Sequence, residues 1–159
     1  MYGIVIALHV VAGTLGLLLA GPVLFAPKRR GWHTLLGRAY AVMAVVLCLT
    51  AFWLVALEPR RLAGLGVLGV LTLGWVAGGV WIARYKPRLT GPGAWRIWHL
   101  NLMSSSVISF VTAFAVQVAD GHWLAWILPT VVGSPLIAWR TGREVAGRSR
   151  GRLVVGVGA

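Results

Sequence analysis

Four histidines, His9, His33, His99 and His122, are the side chains of this sequence best suited to chemistry. An imidazole titrates near neutral pH and can ligate a metal or haem iron through one nitrogen while the other makes a hydrogen bond. Carboxylates offer no substitute, because the chain has only 3 acidic residues. Glu58, Asp120 and Glu144 all fall outside the long apolar runs, which removes paired-carboxylate catalysis and carboxylate proton relays through a membrane. The sequence has no P-loop, no GxGxxG leading out of a strand and no CxxC. The single cysteine, Cys48, lies within an apolar run, where it reads as a small buried residue and cannot form an intrachain disulfide. No catalytic residue is assigned from these patterns.

What the histidines can do depends on the elements that carry them. The chain is 58% hydrophobic and 11% charged over 159 residues, too apolar for a soluble domain of that length. Apolar runs cover about residues 2–26, 34–57, 62–83, 97–119 and 123–139, uncharged but for Arg38 at the entry to the second; at 1.5 Å rise per residue the first four are long enough for a hydrocarbon core of ~30 Å, and the last, at 17 residues, is at the lower limit for a span. The expected fold is therefore all-α: an integral membrane helical bundle of five transmembrane helices over 1–139, followed by a basic, flexible cytoplasmic tail at 140–159. The first run is read as a retained span, since it is too long for a secretory signal and no Lys or Arg precedes it.

A net charge of +12 would suggest nucleic acid in a soluble chain. Here the basic residues lie between or just outside the apolar runs, so positive-inside topology accounts for them and no nucleic-acid partner is expected. With the amino terminus outside, Lys28, Arg29, Arg30, Arg38, Arg84, Lys86, Arg88, Arg96, Arg140, Arg143, Arg148, Arg150 and Arg152 fall inside. Of the 15 Lys and Arg residues only Arg60 and Arg61 then remain outside. The orientation predicts a multi-pass cell-membrane protein of a bacterial inner membrane, with membrane lipids as partners and a homo-oligomer or larger membrane complex as its setting.

The fourth run, entered from Arg96, gathers its polar residues on one side. On a helical wheel Asn101, Ser105, Ser109 and Thr112 share an arc of roughly 80°, with His99, Ser106 and Gln117 completing that half, opposite Val107, Val111, Ala115 and Val118. Such a flank is costly against lipid and should face other helices or a cavity. In the third run Gly74 and Gly78 form a GxxxG pair, a candidate for close helix contact. The first two runs share a register, His9, Gly13, Gly16 and Ala20 against His33, Gly37, Tyr40 and Ala44. Because consecutive spans run antiparallel, this is a repeat of inverted type.

Topology sorts the histidines by depth. His33 and His99 fall at the inner ends of the second and fourth spans, His9 ~10 Å below the outer end of the first, and His122 at the outer surface. The candidate site is His33 and His99 with Arg38, Arg96, Asn101 and Tyr40. The histidines would ligate haem b or a metal ion, the arginines would pair with carboxylates or phosphates, and a carbonyl or a polar side chain, for which Asn101 or Tyr40 is in reach, would take the second imidazole nitrogen. His9 is a weaker metal candidate. A quinone or a lipid head group would suit the same groups, and interfacial histidines bonded to backbone carbonyls are the structural alternative.

The pattern of His9, Gly21-Pro22, then His33, Gly37, Arg38 and Tyr40 resembles a family of bacterial predicted membrane proteins, whose second motif is matched by His99 and Met103. The resemblance covers roughly the first 115 residues and implies the multi-span fold and the importance of His9, His33, Arg38 and His99, but no reaction. A more distant likeness is to the four-helix b-type cytochromes, which hold haem between histidines of facing helices. Three function classes follow: a membrane redox or ligand-binding bundle, a non-catalytic membrane subunit or assembly partner, and a small oligomeric transporter.

Overall fold

The computed structural model describes residues 1–25, 31–87, 91 and 93–156, with side chains as far as Gly147. Helices take up nearly all of it: α1 Tyr2–Phe25, α2 Trp32–Leu57, α3 Pro59–Tyr85, α4 Trp95–Val118 and α5 Trp123–Gly156. The expected basic anchor at Lys28, Arg29 and Arg30, and Arg88 and Pro92 of the later loop, lie outside the described residues. Helices α1 to α4 are long and apolar enough to cross a membrane. Their limits follow the apolar runs, with one instructive shift. Arg60 and Arg61 belong to α3, because Pro59 occupies the first helical position, where its missing N–H is no loss. Glu58 alone both closes α2 and opens α3.

Helix α5 departs from the sequence reading. It runs without a break through Pro129 and Pro135 and on to Gly156, so the segment expected to be a flexible tail from 140 is helical. Its start is tied down: the Arg140 guanidinium donates to the Leu24 carbonyl at 2.7 Å, and the Asn101 amide donates to Thr141 Oγ1 at 3.3 Å. Three glycines in its interior, Gly142, Gly147 and Gly151, each cost ~1 kcal/mol of helix propensity, which weakens a helix but does not terminate it.

Helix α1 packs on α2, α2 on α3, α3 on α4, and α4 back on α1, while α5 lies against α4 from outside. The four-helix ring encloses a core of Ala20, Val23, Tyr40, Ala44, Val76, Met103 and Phe110. In the middle of the polar arc of α4, Ser106, Ser109 and Thr112 are buried, whereas Val111 and Val118 are 40% and 71% exposed. Val107 packs against the core. Two of those hydroxyls satisfy themselves on the helix, Ser106 donating to Met103 O at 2.7 Å and Thr112 to Ile108 O at 2.9 Å. The arc is open at its far end, where Gln117 is exposed.

Close approach on α3 does not use the expected GxxxG pair. A Cβ at Gly74 would meet nothing within 4 Å, and one at Gly78 only an ordinary contact with Leu102 at 3.4 Å. The buried face instead runs through Gly66, Gly69, Thr72, Val76, Gly79 and Ile82. There Gly69 faces Phe52, Gly66 faces Val55 and Gly79 faces Met103. A small-residue spacing marks a permissive face of a helix, but the large partners opposite decide which face is used.

Candidate functional site

His33 stands in the first turn of α2, beside the last turn of α1. The carbonyls there have no intrahelical partner, and His33 Nδ1–H donates to Val23 O at 3.2 Å. His99, in the second turn of α4, donates through Nδ1–H to Gly79 O of α3 at 2.9 Å. A carbonyl only accepts, so in both rings Nδ1 carries the proton and Nε2 is the lone-pair nitrogen of the neutral form. Gly79 serves this arrangement twice. Its carbonyl orients His99, and its missing side chain admits Met103, one turn further along α4, whose Sδ would stand 2.7 Å from a Cβ at that position.

The two rings meet. Their centroids are 6.4 Å apart and their planes are 81° from parallel. Both imidazoles are half-buried, at the end of the bundle where α2 and α4 begin. The antiparallel course of the helices brings these two amino-terminal ends together, as their positions in the apolar runs predict.

The other candidate residues divide. Arg38 and Arg96 are exposed near the same end, Arg96 lying over the Trp95 ring with its guanidinium carbon 5.5 Å from the centroid. Asn101 and Tyr40 take partners other than the imidazoles. Asn101 donates to Ile97 O at 2.8 Å and to Thr141 on α5. Tyr40 is 1% exposed and its hydroxyl lies 2.9 Å from Ser106 Oγ. Since the Ser106 proton goes to Met103 O, Tyr40 is the donor of that bond. Backbone carbonyls do for the two histidines what these side chains were expected to do. Carbonyl acceptors are what the structural alternative expects, but which carbonyls serve, those of Val23 and Gly79, leaves no trace in a residue pattern.

No family of known proteins, curated protein or solved structure matches this chain.

The remaining histidines have other surroundings. His122 is exposed, and its Nδ1 accepts the Leu124 N–H at 3.3 Å at the start of α5. His9 of α1 bonds through Nδ1 to Thr50 Oγ1 of α2 at 3.0 Å. His9 thus reaches from α1 to α2 at one end of the pair, and His33 from α2 to α1 at the other. Among the described residues no three His, Cys, Asp or Glu side chains converge as a metal site would require. A four-coordinate zinc centre therefore has no ligand set there.

Proposed function

We propose that this chain is a five-span protein of a bacterial inner membrane, amino terminus outside and carboxyl terminus in the cytoplasm, in which His33 and His99 form a bis-imidazole haem b site at the cytoplasmic end. The observation that carries the proposal is the pairing of the two rings. At about 2 Å per metal–nitrogen bond, two imidazoles on opposite sides of one iron have nitrogens ~4 Å apart and ring centres ~6 Å apart. The His33 and His99 ring centroids lie 6.4 Å apart. The Nδ1–H bonds to carbonyls support it further, since a ligating histidine ordinarily gives its other nitrogen to such an acceptor, which fixes the tautomer and raises the basicity of the ligand atom.

Haem held this way supplies one-electron transfer. Arg38 and Arg96 are the cations at that end suited to its propionates. The orientation rests on the charge distribution, with 15 basic residues of which only Arg60 and Arg61 would be outside. The apolar half of α5, Trp123–Trp139, provides the fifth span. A reporter fused after Ala159 should be active on the cytoplasmic side, and periplasmic activity would reverse the leaflet of every histidine.

The haem assignment is tested by titrating haemin into the purified protein. Wild type should bind a single haem with a sharp Soret band, and His33→Ala and His99→Ala should each weaken binding by ~100-fold, at or beyond the 10–100-fold that loss of an outer-shell partner costs. A second reading is favoured by the same hydrogen bonds. His33 joins α2 to α1 and His99 joins α4 to α3, as expected of a non-catalytic membrane subunit whose imidazoles hold the four helices at one end. Wild type that takes up no haem would leave that reading in place.

A further inference from the structure

At the end of the bundle opposite the His33 and His99 pair, helices α1 to α4 enclose a cavity of about 370 Å³. That volume falls within the range of ligand pockets, which commonly lie between the helices of bundles. Most of its wall is aliphatic, with Phe110 and Phe114 on one side. Its exposed wall residues are Val10 and Thr14 of α1 and Phe114, Gln117 and Val118 of α4. The mouth therefore lies between α1 and α4 and opens sideways, towards the acyl chains of a surrounding bilayer.

Three polar groups in the wall are configured for a ligand. Thr50 has one hydroxyl proton, which goes to the carbonyls of Val46 and Leu47 at 2.8 and 2.9 Å. Its oxygen must then accept from His9 Nδ1–H, and the lone pair of the neutral His9 ring is on Nε2. Ser109 also lines the cavity and is 2% exposed. Unlike the hydroxyls of Ser106, Thr112, Thr72 and Thr50, it makes no hydrogen bond among the described residues. A buried hydroxyl without a partner calls for an explanation, and a ligand in the cavity gives one. The third group is the Gln117 amide. Gly16 of α1 faces Phe110 of α4, so the antiparallel register sets Gln117 near the level of His9 and Ser109 ~12 Å deeper.

We propose that this cavity binds a neutral, lipid-soluble ring compound bearing hydrogen-bonding oxygens, of the quinone and quinol class. Lateral access selects a molecule that dissolves in the bilayer. The wall contains no Lys, Arg, Asp or Glu, so it has nothing to pair with a phospholipid phosphate. The aromatic rings suit a flat head group. Ser109 O–H and the Gln117 amide can donate to carbonyl oxygens, while His9 Nε2 accepts from a hydroxyl and so favours the quinol. This assignment stands independently of the haem site.

The test is saturable binding of a radiolabelled decyl-substituted benzoquinol, and of the matching benzoquinone, to the full chain in lipid nanodiscs. Wild type should bind both, the quinol more tightly, and unlabelled 1-decanol should fail to compete. Ser109→Ala should weaken binding about 3–10-fold, the loss of one hydrogen bond, with an unchanged thermal midpoint because no partner in the fold is lost. Ala113→Leu, which fills the cavity from α4, should abolish binding. The proposal is overturned by absence of saturable binding to wild type, by equal competition from 1-decanol, which would make the occupant an acyl chain, or by Ser109→Ala binding as wild type does.

Discussion

Gly16→Leu is expected to destabilise the bundle more than any other single change on α1. A Cβ at Gly16 would collide with the Phe110 ring edge, and a leucine side chain would have to displace that ring altogether. Phe110 is buried against Tyr40, with ring centroids 5.4 Å apart and planes tilted by 37°, so its ring can yield only toward the cavity that it lines. Overpacking of a well-filled core costs about 1–3 kcal/mol and occasionally more. Gly16→Ala should fall within that range and Gly16→Leu at or above its upper end. Thermal unfolding in detergent, followed by circular dichroism, measures both. The contact is identified by a second substitution: Phe110→Ala alone should destabilise, but combined with Gly16→Leu it should recover part of the loss, a favourable coupling between the two positions. Strict additivity would show that the helices do not meet at that point.

Tyr40→Ala carries the other large effect. Tyr40 links three parts of the core at once, packing on Phe110, donating to Ser106 on α4 and filling the centre of the α2 face. Removing a large buried aromatic costs about 3–5 kcal/mol, most of it lost packing and residual cavity. Tyr40→Phe should cost far less, about 1 kcal/mol, because the ring remains and the Ser106 hydroxyl keeps Met103 O as its acceptor. The ratio of the two losses separates packing from hydrogen bonding. If Tyr40→Phe were as damaging as Tyr40→Ala, the hydroxyl would have a role beyond the bond to Ser106.

Much of this architecture is legible in the sequence because a bilayer imposes long apolar runs on any chain that crosses it. Apolar length delimits α1 to α4 to within a few residues, and the alternation of their directions places His33 and His99 at the same end. The buried side of α4 is likewise readable, since Ser106, Ser109 and Thr112 fall on one arc. Three features escaped. The helical continuation of α5 depends on Arg140 and Thr141 finding partners on α1 and α4, contacts that composition does not encode. Close contacts of α3 follow Phe52, Val55 and Met103 on its neighbours, so the most conspicuous glycine motif in the run was the wrong one. Carbonyl acceptors for His33 and His99 were foreseeable, but that they are those of Val23 and Gly79 was not, since a main-chain oxygen is present at every residue and only the fold selects among them. The cavity was half legible: its polar residues belong to the arc of α4 and to His9, but its volume arises from how four helices splay.

Electron paramagnetic resonance of the oxidised, haem-loaded protein tests the central claim most directly, because it reports both the number and the relative orientation of the axial ligands. Two imidazoles on one iron make it six-coordinate and low-spin, and planes near the 81° between His33 and His99 should give the strongly anisotropic signal of perpendicular ligands. His33→Ala and His99→Ala should each convert it to a high-spin signal. A wild-type spectrum that is high-spin, or one that neither substitution alters, would contradict a haem held between these two histidines.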